Sequence, residues 1–146
     1  MKRIILLIGI IIVIIFNLFI VGYAIVDGDS MKPNLHNKQV LIYNKLTDNY
    51  KRFDIVILNV NNNYYIKRII GLPYETVEYK KNELFINNVR VVENYDRGIT
   101  ENIFLEKIPS EKYFVLGDNR GHSYDSRDFG FVDKSDIKGK LIFKLF

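Results

Sequence analysis

The longest hydrophobic run of the chain covers residues 4–26 and contains one strongly polar side chain, Asn17. A helix of this length rises about 33 Å, enough to cross the hydrocarbon core of a membrane. Gly22-Tyr23-Ala24 has the small residues of a secretory cleavage site, so a signal that is removed remains an alternative. The run is longer than the apolar part of such signals, which favours a retained transmembrane helix.

The charges on either side of this run predict its orientation. Two basic residues precede it, and two aspartates follow it within three positions. Under the positive-inside rule, residues 1–3 form a cytoplasmic tail and residues 4–26 a single transmembrane helix in the cell membrane. Residues 27–146 then form an extracytoplasmic domain.

After residue 26 the pattern changes to short runs of β-branched and aromatic residues, and no stretch keeps a helical period for three turns. Asparagines at 61–63 and 87–88 stand where hairpin turns would, since asparagine tolerates the positive φ of such turns. We therefore predict a mainly β fold with a single antiparallel-sheet domain. The predicted strands are Val40–Tyr43, Ile55–Val60, Tyr64–Ile70, Glu75–Tyr79, Leu84–Ile86, Val89–Val92, Tyr113–Leu116 and Leu141–Phe146.

Composition narrows the class of protein further. The chain is 48% apolar and 26% charged, which excludes both a disordered protein and a wholly membrane-embedded one. It contains no cysteine, so disulfide scaffolds, thiolate metal sites and cysteine nucleophiles are excluded. The formal charge is +4, and the two basic residues before the apolar run supply half of it. The remaining excess does not support nucleic-acid binding.

Three polar segments of the β region carry candidate chemistry. The first, Val26–Leu35, places Ser30 in a turn bounded by Gly28 and Pro33. Gly28 permits close approach of backbone, and Pro33 favours an extended residue before it. On these residues alone, a plain turn next to the membrane is the simpler interpretation.

The second segment, Tyr64–Pro73, contains two adjacent cations among apolar residues. If it is a strand, its period of two turns Lys67 and Arg68 to opposite faces. A buried charge must be paired or neutralised, so we expect Arg68 to meet a carboxylate and Lys67 to lose its proton. The alternative is that both side chains extend to solvent from an edge strand.

The third segment, Leu116–Phe131, follows a predicted strand and alternates acids with arginines. It is either a solvated loop or a set of ion pairs and hydrogen bonds that supports a site.

A serine nucleophile needs a base, and the chain offers few. His36 and His122 are the only histidines, and neither lies in a nucleophile-elbow setting. Burial disfavours an ammonium group, and a pKa lowered by about two to three units would leave a lysine partly neutral near pH 8. Lys67, flanked by Ile66 and Ile69, is the best-placed lysine.

Together these segments resemble the conserved boxes of bacterial type I signal peptidases, in particular the short forms of Gram-positive-type bacteria. The matches are Gly-x-Ser-Met-x-Pro-x-Leu at Gly28–Leu35, Lys-Arg-x-x-Gly at Lys67–Gly71 and Gly-Asp-Asn-x-x-x-Ser-x-Asp-Ser-Arg-x-x-Gly at Gly117–Gly130. With the N-terminal anchor, they cover nearly the whole chain. The resemblance implies a membrane-anchored serine endopeptidase that removes signal peptides after Ala-x-Ala-like sites through an acyl-enzyme, with no metal or cofactor.

The resemblance also implies a role for each matching residue. Ser30 is the nucleophile, its backbone N–H lines the oxyanion hole, and Lys67 is the general base. Gly28 stands where some members have a serine that adds a side-chain donor, and Phe53 stands where a glycine is usual. The implied supporting residues are Ser123, which orients the lysine, and the ion pairs of Asp118 with Arg68 and of Asp125 with Arg127.

The implied partners are signal-peptide-bearing preproteins, membrane lipid and a nearby secretion translocon, and no nucleic acid. One alternative is a self-cleaving repressor with Ser/Lys chemistry on a similar β fold, but a membrane helix stands where its DNA-binding domain would be. The other is a catalytically inactive β domain, anchored or secreted, that binds export partners. The presence of both Ser30 and Lys67 disfavours it.

Overall fold

The computed structural model describes residues 4, 7, 9 and 19–145, and within them two antiparallel sheets account for the strands. A seven-stranded sheet has the order β1-β2-β11-β3-β4-β9-β10, and a four-stranded sheet has the order β7-β6-β5-β8. The strands are β1 Val21–Ile25, β2 Val40–Asn44, β3 Ile55–Val60, β4 Asn63–Gly71, β5 Val77–Lys80, β6 Glu83–Ile86, β7 Val89–Val91, β8 Ile103–Leu105, β9 Lys112–Leu116, β10 Val132–Asp133 and β11 Ile137–Lys144. One short helix, α1 at Ser126–Phe129, and two 3₁₀ turns at Arg120–His122 and Lys134–Asp136 lie between the later strands, and the described residues 4, 7, 9, 19 and 20 ahead of β1 are helical.

Alternation along the strands divides the large sheet into two apolar faces. On β3, Val56 and Leu58 are fully buried in a cluster on one face. Ile55 contributes to the opposite face, where it packs against a separate cluster that contains Leu41. Because side chains of a strand point alternately to the two sides, one strand serves both clusters.

The small sheet packs against the large one through a shared core. Val77 and Leu84 of the small sheet lie in one buried cluster with Ile70 and Phe114 of the large sheet. Gly71 lies at this junction, where an added Cβ would come within 2.4 Å of the Ile108 side chain. The two sheets therefore form a single mainly β unit, as the sequence predicts.

The asparagine clusters form turns as predicted. Asn61 and Asn62 join β3 to β4, with φ angles of 51° and 64°. Asn87 and Asn88 join β6 to β7, with φ angles of 50° and 65°. Both pairs have the two successive positive φ angles that a two-residue hairpin turn requires.

The predicted strands exist, but some boundaries differ and some strands were missed. The strand predicted to begin at Glu75 starts at Val77, and the one predicted at Leu141–Phe146 begins earlier, at Ile137. Strands β1, β8 and β10 were not predicted. Strands β8 and β10 have three and two residues, too few for an alternating pattern to be recognised.

The C-terminal part of the predicted transmembrane helix at 4–26 is wrong, because Val21–Ile25 form a strand. These residues pair with β2 in a regular antiparallel register from Val21↔Asn44 to Ile25↔Val40. The pairing satisfies their backbone polar groups, and local hydrophobicity does not distinguish such a strand from a helix. The predicted tail at 1–3 and most of the remaining run lie outside the described residues. No helix within the described part of the chain is long and apolar enough to span a membrane.

Strand β1 gives a stability prediction for truncated forms. Removal of residues 1–20 leaves β1 in place, whereas removal of residues 1–25 deletes its whole register with β2. We expect the shorter protein to lose at least about 2 kcal/mol of unfolding free energy relative to the longer one, because several backbone hydrogen bonds and the packing of β1 are lost. Chemical denaturation of both forms measures the difference. Equal stabilities would mean that β1 is not part of the folded unit.

Candidate active site

Ser30 lies in a turn that is anchored by apolar side chains. Met31 and Leu35, which both follow Ser30 in the chain, are each 1% exposed and pack in a cluster with Val26 and Leu41. The Leu35 N–H donates to the Met31 carbonyl at 2.9 Å, which closes the turn. The apolar positions of this segment therefore hold the serine at a fixed place at the end of β1.

Gly28 gives the turn its shape. Its φ of +92° lies in the region that favours glycine, and its N–H donates to Asn37 Oδ1 at 3.1 Å. An added Cβ would meet nothing within 4 Å, so the backbone conformation rather than space requires glycine here. The Lys32–Pro33 peptide bond in the same turn is cis.

Lys67 lies on β4 and reaches Ser30 from the interior of the protein. It is 3% exposed, and its Nζ lies 2.8 Å from Ser30 Oγ. The ring centroid of Tyr65, two residues earlier on the same strand, is 5.7 Å from Nζ. Burial lowers the pKa of Lys67 to about 8; the nearby Asp125 carboxylate opposes this shift and Arg127 reinforces it. A lysine in this state can accept a proton near neutral pH.

Neither histidine is placed to act as the base. His36 and His122 are both exposed, and neither lines the groove that contains Ser30 and Lys67. The structure thus brings together the serine and lysine that the sequence singles out, without a histidine beside them.

Arg68 points away from Lys67 and forms a buried ion pair with Asp118. Its Nε donates to Asp118 Oδ1 at 2.8 Å and its Nη2 to Oδ2 at 2.6 Å. The Arg68 side chain is 10% exposed and that of Asp118 is 0% exposed. The guanidinium also stacks on the Tyr95 ring, 4.0 Å from its centroid. The guanidinium therefore has hydrogen-bond partners at its edge and an aromatic ring on its face.

Two asparagines connect the Ser30 turn to the Asp118 segment, and the sequence analysis missed both. Asn34 donates through Nδ2 to Asp118 Oδ2 at 2.9 Å. The backbone N–H of Asn119 donates to the Ser30 carbonyl at 2.9 Å, and its side chain donates to the Asp29 carbonyl at 3.2 Å. Short polar side chains in loops carry no periodic signal, so these contacts could not be predicted from the pattern.

Asp125 and Arg127 form the second ion pair behind Lys67. Arg127 Nε donates to Asp125 Oδ1 and Nη2 to Oδ2, both at 2.8 Å. Asp125 also caps α1, where it accepts from the Arg127 N–H while Asp128 accepts from the Asp125 N–H. Burial alone would raise the pKa of Asp125, but the hydrogen bonds from Arg127 and from the Gly117 N–H outweigh it and lower the pKa. The carboxylate therefore stays ionised beside the lysine.

Gly117 is the point at which the serine turn and the third segment touch. An added Cβ would lie 2.2 Å from Ser123 Oγ and 2.6 Å from the Ser30 carbonyl oxygen. The buried Ser123 hydroxyl makes no hydrogen bond to Lys67 within the described residues, and it helps to lower the pKa of the Asp125 carboxyl instead. Ser123 packs against the bare face of Gly117.

Phe53 stands where the resemblance leads one to expect glycine, and its backbone adopts a glycine-like conformation. Its φ is 71°, in the left-handed region that is rare for a bulky residue. Its N–H donates to the Ile69 carbonyl at 2.7 Å, and its carbonyl accepts from Arg68 Nη1 at 2.9 Å. Its ring packs edge-on against Tyr95, with centroids 5.4 Å apart. These contacts compensate for the strained backbone.

A buried polar cluster behind the third segment was not predicted. The Arg120 side chain is fully buried and donates to the Gly117 carbonyl at 2.9 Å and to Glu93 Oε1 at 2.8 Å. It also donates to the hydroxyls of Tyr79, Tyr95 and Thr100. Tyr79 lies in the small sheet, so this cluster ties the small sheet to the peptide that carries Gly117. Because Glu93 and Tyr95 lie in irregular chain between β7 and β8, no periodic pattern marks them.

A groove of about 560 Å³ leads to Ser30 and Lys67. Strands β1, β2, β3 and β4 and the serine turn contribute its walls, so an extended peptide can lie along it. Within the described residues, no group of three or more histidine, aspartate or glutamate side chains could hold a metal ion. The lining residues are Tyr23, Ala24, Ile25, Val26, Asp27, Ser30, Met31, Tyr43, Ile57, Tyr64, Tyr65, Ile66 and Lys67.

Comparisons with known proteins identify the family of this chain. The family described as signal peptidase, peptidase S26, matches residues 1–146. The chain is 41% identical to signal peptidase I P of Bacillus subtilis subsp. natto, over 94% of this chain and 84% of that protein. It is 37% identical to signal peptidase I of Bacillus amyloliquefaciens, over 96% of this chain and 84% of that protein. A crystal structure of a signal peptidase I from Enterococcus faecalis V583 superposes with a TM-score of 0.60 at 38% identity, covering 64% of this chain and 97% of that one.

The Arg68–Asp118 pair gives a prediction about stability. Arg68→Ala or Asp118→Ala leaves one buried charge without its partner, so we expect each to lower the free energy of unfolding by about 3–5 kcal/mol. The matched control is Arg90→Ala, which removes an ion pair to Glu83 whose side chains are 59% and 46% exposed. The control should cost at most about 1 kcal/mol. Equal losses of unfolding free energy in the buried and the exposed variants would show that the buried pair contributes nothing to stability.

Proposed function

The chain belongs to the signal peptidase family, peptidase S26, and on this basis we propose that Ser30 and Lys67 are the catalytic pair of a signal-peptide-cleaving serine endopeptidase. Family membership establishes the peptidase activity on preproteins. The assignment of the residues rests on one observation: a buried lysine amine lies 2.8 Å from the hydroxyl of Ser30.

In the proposed reaction, neutral Lys67 accepts the hydroxyl proton of Ser30 while the serine oxygen attacks the scissile carbonyl. The resulting lysine ammonium donates a proton to the departing amine, and an ester between Ser30 and the signal peptide remains. Lys67 then accepts a proton from water as the water oxygen attacks the ester, and the lysine ammonium returns a proton to the Ser30 oxygen as the signal peptide is released. Serine and lysine return to their starting states, so the cycle needs no further proton carrier.

The oxyanion of the tetrahedral intermediate is stabilised by backbone donors, among them the Ser30 N–H. Such a donor contributes roughly 3–4 kcal/mol to transition-state stabilisation in comparable systems. Gly28 brings no side-chain donor, so the backbone must supply this stabilisation. The buried anchors Met31 and Leu35 support this role because they fix the turn from which the N–H projects.

The substrate lies extended along the groove, with small side chains at the first and third positions before the scissile bond. The narrow apolar walls next to Ser30, formed by Val26, Met31 and Ile66, support a preference for alanine-sized residues there. Backbone pairing with a strand provides affinity without requiring one particular sequence.

Ser123, Asp118, Arg68, Asp125 and Arg127 support the pair without taking part in bond making. Arg127 and Asp125 neutralise one another beside Lys67, and Arg68 and Asp118 hold the strand and the third segment together. Ser123 lies against Gly117, beside the Ser30 carbonyl, and from this position we propose that it helps to orient the lysine amine.

We also place the protein at the cell membrane, with its N-terminus in the cytoplasm and the catalytic unit outside. The basic residues before the apolar run and the acidic residues after it support this orientation. Because β1 begins at Val21, the membrane segment ends no later than residue 20. The site then lies close to the bilayer, near the secretion translocon from which preproteins emerge.

Two variants test the catalytic assignment directly. Ser30→Ala and Lys67→Ala should each lower cleavage of a preprotein with an Ala-x-Ala site by at least about 10⁴-fold, since neither member of the pair can act alone. Gel or mass-spectrometric detection of the released peptide measures the rate, and a thermal melt verifies folding. His122→Ala, which changes an exposed residue of the third segment, is the matched control and should retain the parent rate. Near-normal turnover by folded Lys67→Ala would overturn the assignment.

The pH profile tests the protonation state of the base. The pKa of Lys67 is about 8, so the amine is protonated and inactive below that pH and becomes neutral as pH rises through it. The rate constant kcat/KM should therefore rise along a limb centred near pH 8 in the parent protein. A histidine base would instead place the limb near pH 6.5, about the ordinary histidine pKa. A limb near that lower value that disappears in His122→Ala would contradict the lysine mechanism.

A further inference from the structure

The end of the groove far from Ser30 is built by tyrosines. Strands β1 and β4 run in the same direction, and the chain leads toward the catalytic pair along both of them. Just after β1, Val26 precedes the serine turn, and on β4, Ile66 precedes Lys67. Moving away from the site, Ala24 of β1 lines the groove, and Gly22 is the next residue on the same face of that strand. At the same end the groove is lined by Tyr43 and Tyr64.

Tyr43 covers the β1 backbone at Gly22. The two residues are directly opposite in the β1–β2 register. A Cβ added to Gly22 would lie 2.3 Å from Tyr43 Cζ, so the ring rests on the bare glycine and could not do so over any other residue. The glycine in this otherwise apolar strand therefore leaves the space that the Tyr43 ring occupies at the groove.

Tyr64 lies beside Tyr43 at this end. Burial raises the pKa of the Tyr43 hydroxyl, and the neighbouring Tyr64 raises it further. Within the described part of the chain, neither hydroxyl has a hydrogen-bond partner, and Tyr64 is 69% exposed. Two phenol hydroxyls are thus free to bind a group that enters the groove.

Strand geometry gives the position that would meet these hydroxyls. Residues Val26, Ala24 and Gly22 alternate along one face of β1, about 7 Å apart. An extended peptide beside β1 has the same repeat and presents every second side chain to this face. If the first residue before the scissile bond lies by Val26 and the third by Ala24, the fifth lies by Gly22 and under Tyr43.

We propose that Tyr43 and Tyr64 form a further specificity site that selects an uncharged polar side chain at the fifth position before the scissile bond. The inference rests on the proposed function, which supplies the direction in which the substrate lies. A glutamine or serine there exchanges hydrogen bonds with the phenol hydroxyls. A leucine would cover both hydroxyls without offering a partner, and unpaired polar groups oppose binding.

The test uses the full-length protein and preproteins that differ only at the fifth position, carrying glutamine, alanine or leucine. We expect glutamine to be cleaved with a kcat/KM about fivefold higher than leucine, the difference that one net hydrogen bond makes. Replacing glutamine by leucine at the fourth position, whose side chain points away from Tyr43, should change kcat/KM less than twofold.

Two variants show whether Tyr43 causes the preference for glutamine over leucine. In Tyr43→Phe, which keeps the ring over Gly22 but lacks the hydroxyl, the glutamine-to-leucine ratio should fall to about one to two. In Gly22→Ala the methyl group displaces the ring, so the ratio should also fall although Tyr43 is intact. Tyr74→Phe, an exposed tyrosine outside the groove that contacts Ser110, is the matched control and should keep the parent ratio.

The outcomes separate this inference from the proposed function. If the parent cleaves all three preproteins at equal rates, or if Tyr43→Phe keeps the parent ratio, the specificity site is overturned while the proposed function stands. If the parent cleaves none of them, the proposed function fails and the inference fails with it. A ratio that falls in Tyr43→Phe and in Gly22→Ala, but not in Tyr74→Phe, establishes the site.

Discussion

The desolvation of the Lys67 amine is the constraint on which the rest of the site depends. A pKa of about 8 means that the folded protein disfavours the protonated amine by about 3 kcal/mol relative to water. Such a shift lasts only if the surrounding charges do not restore the ammonium form. The nearest carboxylates are each held in an ion pair, Asp125 with Arg127 and Asp118 with Arg68, and Arg127 opposes the effect of Asp125 on the pKa of Lys67. Burial then decides the protonation state.

Those pairs must be held rigidly, and the structure does this through one glycine. Gly117 contacts the Ser30 carbonyl and the Ser123 side chain, its N–H donates to Asp125, and its carbonyl accepts from Arg120. Arg120 in turn binds groups of the small sheet. The small sheet, although remote from Ser30, thereby contributes to the geometry of the proposed catalytic pair. The proposed catalysis thus depends on contacts between the two sheets as well as on the groove itself.

The sequence predicts those features that have a repeating or chemical signature. Alternation identified most strands, the asparagine pairs identified their turns, and two adjacent cations in an apolar strand pointed to Lys67 and Arg68. Strand β1 was misassigned because a continuous apolar run has the same local composition in a helix and in a strand. The Arg120 cluster and the position of Tyr43 depend on which strands are neighbours in space. Of these two features, only the position of Tyr43 has a signal in the sequence. That signal is Gly22, since a glycine inside a strand often marks a close approach of another group.

The sheet order has a consequence for when the protein becomes active as it is made. Strand β11, Ile137–Lys144, lies between β2 and β3, although every other strand precedes it in the chain. The two walls of the groove, β1–β2 on one side and β3–β4 on the other, are therefore joined through a strand that is synthesised after all the other described strands. A nascent chain that already displays Ser30 and Lys67 outside the ribosome still lacks the strand that holds them together. A chain that ends before β11 thus lacks the backbone pairing through which the strand next to the serine turn and the strand that carries Lys67 are held in one sheet.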